Sequence, residues 1–304
     1  MNTDQLHLFL TIVRHRSLSR AAAELDLGQA TVSERLKALE TEVGAKLFER
    51  RGRGVALTPA GEAFRPHAER ALEVLRQARD SARAASEGRG GQVSVAVTVT
   101  SGAYLFAPAL VAFQREHPGV EVRVRSAHSW DAPGLLLDGV VQLALISGPS
   151  LHPQLESLAT FTSPLALVAS RQHPLARSQP VALAALAREP MLVSYWGPAS
   201  QSFLAGVRAL GENKAGLWRE LSPVELVKGM LLAGSGVSLL PEIAVRRELE
   251  AGDLVKLELV ETSPRVPAWE INLLRHRFHA PNPAAEALTQ TLKRVLPDLA
   301  LNSL

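Results

Sequence analysis

The stretch "SLSRAAAELDLGQATVSERLKALE", Ser17 to Glu40, sets an Ala-rich helical pattern beside a polar-faced one, parted only by Asp26, Leu27 and Gly28. That break is too short for a strand, so the pattern predicts two helices meeting at a tight turn. Ser19 reads as the N-cap of the first, over 19–25, and the second runs over 29–43. Ala21, Ala22 and Ala23 are small enough to let the first helix lie close against its neighbours. At about 100° per residue, Val32, Leu36, Leu39 and Val43 gather on one face of the second helix, and Ala30, Ser33, Glu34, Lys37 and Thr41 on the other. One face packs and the other is offered outward. Gln29, Ala30 and Thr31 stand in the first turn, where a helix presents free backbone N–H groups to an anion.

Upstream, Leu6, Phe9, Leu10 and Val13 recur at amphipathic spacing and predict a helix over 3–13. Downstream, "ERRGRGVALTPAGE" interleaves Arg50, Arg51 and Arg53 with Gly52 and Gly54 before the apolar Val55 to Leu57, the pattern of a tight basic hairpin. Thr58 then caps a long helix that has Pro59 at its first position. Along it Phe64, Ala68, Ala71, Leu75, Ala78, Ala82 and Ala85 alternate spacings of four and three, a coiled-coil seam, while Glu69, Arg70, Glu73, Arg76, Arg79, Asp80 and Arg83 lie outside it. The alternative is a helix packed on its own domain. At about 1.5 Å per residue, 59–86 spans roughly 40 Å, long enough to couple two chains.

"SEGRGGQ", 86–92, breaks this helix with three glycines and places a domain boundary near Gly90. Strands over 93–99, 120–126 and 141–146 then alternate with helices near 102–116 and 131–137, which implies an α/β unit with a largely parallel sheet. Further strands are expected at 155–161, 165–169, 191–194, 237–240, 254–260 and 269–274, and a helix closes the chain.

Composition bounds the function. The 304 residues are 46% hydrophobic and 21% charged, as in an ordinary globular protein of two or three domains. There is no cysteine, which excludes disulfides, thiolate metal sites and cysteine nucleophiles, and the start "MNTDQL" lacks the basic and apolar regions of an export signal. A cytoplasmic location without membrane contact is expected. The net charge of +3 lies wholly in residues 1–90, with 15 Lys and Arg against 12 Asp and Glu, because 91–304 hold 18 against 18. A polyanion-facing surface, or merely a solvated basic face, therefore belongs to the first third of the chain.

The block "FLTIVRHRSLSRAAAELDLGQATVSERLKALETEVGAKLFERRGRGVALTPAGEAF" resembles the DNA-binding domain of LysR-type transcriptional regulators, through "LKALE", "GAKLFER" and "LTPAGE" in order and spacing. "YLFAPALVAFQREHPGVEVRV" and "VKGMLLAGSGVSLLPEIAV" resemble the effector-binding part of the same family. The resemblance implies a winged helix-turn-helix over 1–58, a linker and dimerisation helix with its hinge over 59–90, and a regulatory part over 91–304. That part would hold two α/β subdomains like those of periplasmic binding proteins, 91–161 with 268–304, and 162–267. It also implies double-stranded DNA and a small-molecule effector as partners, homodimers pairing into tetramers, and RNA polymerase as a candidate further partner.

In a helix-turn-helix the second helix enters the major groove. Gln29, Ala30, Thr31, Ser33, Glu34 and Lys37 are the resulting base-facing or phosphate-facing candidates, with Arg50, Arg51 and Arg53 on the wing and Thr58 at a helix start able to bond phosphate through its hydroxyl and the nearby N–H groups. Three positions depart from the commoner family pattern: Gly28 where Ser or Thr often caps, Ala30 where Pro is frequent, and Glu34 where Arg is frequent. A carboxylate at Glu34 repels phosphates yet accepts from a cytosine amino group. For dimerisation the candidates are Phe64, Ala68, Ala71, Leu75, Ala78 and Ala82.

Open α/β sheets bind ligands beyond the carboxyl ends of their strands. Thr98, Thr100, Ser101, Ser126, His128, Ser147 and Ser194 lie at such ends, and the resemblance puts an effector between the groups they form. Hydroxyls at a helix start suit a small anionic metabolite; the same residues also serve as ordinary helix caps. An enzyme is not indicated. The sequence has no Walker loop, no Gly-x-Ser-x-Gly and no His-Glu-x-x-His, "GSG" at 234–236 reads as a turn, and Ser126, His128 and Asp131 are neighbours in sequence without being a triad. No cofactor or metal is called for. Two other readings are a solute-binding protein with a vestigial N-terminal domain and a sequence-indifferent architectural DNA-binding protein, whose binding would follow salt and ignore sequence.

Overall fold

The computed structural model describes residues 1–52, 54–86, 91–211, 218–279 and 282–301, and the side chains of all of these except 77, 80–86, 300 and 301. Arg53 and the boundary at Gly90 lie outside the described residues, as do the side chains of Ala82 and Ala85. The chain divides into two compact units, Met1–Glu87 and Gly88–Leu304.

In the first unit α1 (Thr3–His15) begins with a reciprocal cap, Asn2 accepting from the Gln5 N–H at 2.9 Å and donating its own N–H to the Gln5 side chain at 2.8 Å. Arg16 turns left-handed, φ 51°, and stops α1, so the extended residue that caps α2 (Leu18–Glu24) is Ser17 and not Ser19. The Ala-Ala-Ala run divides: Ala21 and Ala22 are buried, Ala23 is exposed. α3 (Gln29–Val43) ends at Gly44, left-handed at φ 78°.

Two apolar clusters flank α1. Leu8 and Ile12 pack with Ala21, Ala22, Val32 and Leu36, while Leu6 and Phe9 pack with Leu39, Leu47 and Ala68. The sequence pattern caught the second of these and passed over Leu8 and Ile12, because a helix covered on two sides no longer shows a single stripe. β1 (Phe48–Arg51) and β2 (Gly54–Leu57) form the antiparallel hairpin, and α4 (Pro59–Ser86) follows. The ring of Phe9 meets Phe48 at 5.3 Å and Phe64 edge-on at 5.1 Å. One residue of the expected coiled-coil seam is thereby corrected: Ala68 is buried in the chain's own core, while Phe64 and Ala71 pack against that core and stay half-buried. A side chain already dry inside its own domain has no face left for a second chain.

Glu40 closes this unit. It is buried near the C-terminal end of α3, where its carboxylate accepts from the Leu47 and Phe48 N–H groups at 2.8 and 3.3 Å and from Lys46 Nζ at 2.7 Å. Burial pushes the carboxyl up, but the Lys46 ammonium and the two N–H donors outweigh it and hold the group below the ordinary carboxylate range.

The second unit carries a nine-stranded sheet in the order β4-β3-β5-β11-β6-β9-β7-β8, with β10 also on β6. Its strands are β3 (Gln92–Val97), β4 (Glu121–Ser126), β5 (Leu143–Ser147), β6 (Leu155–Ser170), β7 (Met191–Val193), β8 (Trp218–Glu220), β9 (Val237–Pro241), β10 (Leu254–Lys256) and β11 (Ala268–His276). The sheet is mixed: β4-β3-β5 and β8-β7-β9 are parallel groups, and β6 and β11 run antiparallel between them. The two strands expected at 155–161 and 165–169 are one strand of 16 residues, continuous through Pro164. Its first part pairs with β11 and its last with β9 and β10.

Helices fill the crossovers. After β3 come a single turn α5 (Val99–Ser101), a π-helical turn (Gly102–Phe106) and α6 (Ala107–Glu116); α7 (Ala132–Leu137) follows β4. Two short turns, α8 (Pro174–Arg177) and α9 (Leu183–Leu186), precede β7; then come α10 (Pro198–Ala209), α11 (Val224–Leu232), α12 (Glu242–Ala251) and α13 (Pro283–Leu301). Alternation along the central strands serves two cores: Val95, Val97, Leu143 and Leu145 join the main one, and Ala96, Ala144 and Ile146 the smaller one under α7.

The lowered Glu40 acid supplies stability that is present above the ordinary carboxylate value and lost as the pH falls through the lowered one. Glu40→Gln is expected to cost roughly 1–3 kcal/mol at pH 7 and to flatten this acid dependence. Amide-exchange protection of α3 in the full chain, corrected for intrinsic rates between pH 3 and 7, is the measurement.

Candidate nucleic-acid interface and ligand cavity

Gly28 at the start of α3 has no side chain to cap with, so the first-turn N–H groups of α3 stay open. Gln29, Ala30, Ser33, Glu34 and Lys37 are exposed, Thr31 is half-buried, and Val32, Leu36 and Leu39 are buried beneath them. The Gln29 amide oxygen accepts from Ser19 Oγ at 3.1 Å, which holds this side chain against α2 and leaves its NH2 group free to donate outward. Arg35 is a further exposed cation on α3 that the sequence reading passed over.

On the hairpin Arg50 stands opposite Val55 and Arg51 opposite Gly54, so consecutive side chains point to opposite faces. Arg51 lines a groove of about 430 Å³ with Arg16 and Arg65, and Arg50 and Arg51 thus do not share one basic face. Gly54 is required where it stands, because a Cβ there would lie 2.6 Å from the Arg16 carbonyl oxygen. The hydroxyl of Thr58 needs correction as a phosphate donor. Its hydroxyl accepts from the Gly61 N–H at 3.0 Å and donates its proton to the Lys46 carbonyl at 2.6 Å, which leaves no hydrogen to offer an anion.

In the second unit Thr98, Thr100, Ser126, His128, Ser147 and Ser194 line one cavity of about 280 Å³, between the ends of β3, β4 and β5 on one side and of β7 and β8 on the other. Ser101 is the exception and is corrected: it is fully buried, and its hydroxyl closes a capping box with Thr98. Two more of these hydroxyls already have structural partners. Ser147 Oγ accepts from the Trp269 indole at 2.8 Å, and Ser194 Oγ donates to the Leu221 carbonyl at 2.9 Å. Those of Thr100 and Ser126 make no hydrogen bond among the described residues.

The cavity also holds residues that the sequence reading passed over: Ser129, Trp130, Tyr195, Glu220, Ser222 and others of the 220–224 turn. Trp130 stacks flat on His128, ring centroids 4.5 Å apart and planes 7° apart, and meets Tyr195 edge-on at 6.3 Å. The signal for Glu220 was weak, since β8 is three residues long and reads Trp-Arg-Glu. Gly148 and Gly197 let the two sides touch below the cavity, both at positive φ, with a Cβ on Gly148 falling 3.0 Å from Pro198 Cδ.

Two family models match the chain: "Bacterial regulatory helix-turn-helix protein, lysR family" over residues 3–62 and "LysR substrate binding domain" over residues 86–297. The chain belongs to the LysR family of transcriptional regulators. A RuBisCO operon transcriptional regulator of Allochromatium vinosum is 32% identical over 292 residues, 94% of this chain and 93% of that one. The regulator CfxR of Cupriavidus necator is 32% identical over 279 residues, 88% of this chain and 84% of that one. Full-length CbnR, solved in complex with its target DNA, shares the fold with a TM-score of 0.75 at 23% identity, covering 97% of this chain and all of that one. This LysR protein is accordingly a DNA-binding regulator with an effector-binding domain. Among the described residues no helix is long and apolar enough to cross a membrane.

Beside the cavity of this LysR regulator, a polar bridge joins the two sides. The Tyr104 phenol, in the π-helical turn, donates to Glu225 and accepts from Lys228 Nζ at 3.3 Å, both on α11, and Lys228 pairs with Glu248 at 2.7 Å. Burial and the Glu225 carboxylate push the phenol above its ordinary value, so it is a neutral donor at pH 7. Tyr104→Phe is expected to loosen this bridge by roughly 1 kcal/mol. Faster amide exchange over 224–232 with β6 unchanged is the result to look for.

Proposed function

We propose that this regulator reads paired half-sites on DNA with α3 in the major groove, and that a small molecule in the cavity changes the relative placement of its DNA-binding heads. The observation that carries the first half is α3 itself: one face dry against α1 and α2, the other exposed and mostly polar, with an uncapped N-terminal turn. Gln29, Ser33, Glu34 and Lys37 face bases or phosphates, Ala30 and Thr31 lie where the first turn approaches the groove, and Arg50 holds backbone. Six of the residues expected to touch effector share one cavity, which supports the second half. Control then follows if the effector binds one arrangement of the heads better than the other.

In this reading the chain carries out no turnover, acts in the cytoplasm with RNA polymerase as a further partner, and assembles at least as a homodimer. The regulatory part works as two lobes, 91–161 with 268–304 against 162–267. Of the α4 seam, Leu75 and Ala78 are exposed, and Val74 joins them, so the dimer contact belongs to this later part of the helix. Leu75→Glu is expected to shift the protein toward monomer in sedimentation and to weaken binding to paired half-sites.

Footprinting on the DNA upstream of its own coding region, at moderate salt with excess nonspecific competitor, tests the whole reading. Protection of half-sites spaced by whole helical turns is the expected result. Binding that competitor abolishes there and in a genome-wide selection of bound fragments would favour an architectural role. Glu34→Ala is expected to broaden the set of sequences recovered from a randomised-site selection; an unchanged set would remove Glu34 from base recognition.

A further inference from the structure

Trp130 is the least expected group in the cavity. It follows β4 and lies flat on His128, planes 7° apart and centroids 4.5 Å apart, which fixes the plane of the indole, yet it stays 65% exposed. Tyr195, which follows β7 on the other side, meets it edge-on at 6.3 Å and is 40% exposed. Val99, also in the lining, is 52% exposed. Burial in a core would explain none of these side chains. A ring held in one plane with so much of its surface wet gains from a further flat partner, and a volume of about 280 Å³ fits a molecule of one or two rings.

The other end of such a molecule meets the starts of two helical runs, one from each side. The run from Val99 through the π-helical turn to Glu116 opens with the Val99 and Thr100 N–H groups unbonded, since the reciprocal cap takes only those of Thr98 and Ser101. α11 opens with those of Val224 and Glu225, behind Pro223. Thr100 is only 7% exposed, and its hydroxyl has no partner among the described residues. Donors so placed suit an anion. Of the carboxylates nearby, that of Glu225 is engaged by Tyr104 and Lys228 on the flank, and that of Glu220 is exposed, where solvent screens it.

We infer that the cavity takes a flat aromatic ring carrying one anionic group, the ring against Trp130 and the anion at the two helix starts, and that Trp130 is the residue that selects a flat ring over an aliphatic one. This rests on the reading of the cavity as the effector site and names the chemical class it prefers.

Calorimetric titration of the full-length protein with benzoate and with cyclohexanecarboxylate compares one carboxylate on two rings of similar size, flat and puckered. Benzoate is expected to bind about fivefold tighter, Trp130→Ala to weaken benzoate and erase this preference, and Thr100→Val to weaken both carboxylates alike. The inference is overturned if cyclohexanecarboxylate binds as well or better, if the preference survives Trp130→Ala, if Thr100→Val changes neither, if benzylamine, the same flat ring with the opposite charge, binds tighter than benzoate, or if neither carboxylate binds. Amide exchange separates these failures from failure of the effector site itself. Protection at 98–101 and 224–226 by either carboxylate keeps the cavity in its role even where the ring preference fails, whereas protection elsewhere, unmoved by Thr100→Val, removes the cavity along with the inference. Where neither carboxylate binds, phosphate and succinate take the same measurement: protection at 98–101 keeps the cavity and overturns only the ligand class, and protection by none removes both.

Discussion

The pairing of β6 with β11 is the constraint on which the regulatory unit depends. Both strands lie at the centre of the sheet, where one parallel group ends and the other begins, and β6 alone continues from the first group into contact with β9 and β10. A buried Asn272 fixes their register. Its side-chain oxygen accepts from Ser157 Oγ at 3.1 Å and Thr160 Oγ1 at 2.7 Å on β6, and its NH2 donates to the Gly148 carbonyl at 3.0 Å and to Glu270 at 2.8 Å. A polar group this deep is tolerated only when each of its bonds is made, so a one-residue slip would leave several donors and acceptors dry and unpaired.

The cavity inherits its shape from that ladder. Trp269, three residues before Asn272 on β11 and on the opposite face, reaches Ser147 at the end of β5 and meets Trp196 edge-on at 5.5 Å, and Trp196 in turn donates to the Leu239 carbonyl of β9 at 2.7 Å. The chain from β11 through both indoles thus sets the floor against which Gly148 and Gly197 touch. Tyr104 and Lys228 join the same two sides at the flank. Two sides held at a close glycine contact and by a polar bridge leave room for a ligand to alter their spacing, which is the property an effector domain needs.

In the DNA-binding unit the corresponding role falls to Glu40. It carries charge from the non-reading end of α3 into the turn before the hairpin, and so couples the orientation of the recognition helix to that of the wing through three hydrogen bonds. Exposed and packed residues are separated cleanly along α3: those that pack repeat every three or four positions, and most of those between them are open to solvent, as the proposed reading of DNA requires.

The sequence by itself determined the helix-turn-helix, the hairpin, the long α4 and the alternation of strand and helix, because each rests on spacing and capping chemistry that acts within a few residues. α3 runs over the predicted span, and six of the seven proposed ligand residues share one cavity, because strand ends in an α/β sheet converge wherever the strands are parallel. Only the tertiary structure decided which neighbour each exposed or apolar group would meet. Phe64 and Ala68 have the spacing of a dimer seam yet turn into their own core, Thr58 and Ser101 have hydroxyls that their own backbones occupy, and β6 passes unbroken through a proline. Tyr195 and Trp130 lie far apart in the chain, and the aromatic face of the cavity exists only once the sheet has brought them together. Local periodicity fixes which side of an element is apolar; what that side touches is set by long-range packing, which no spacing along the chain encodes.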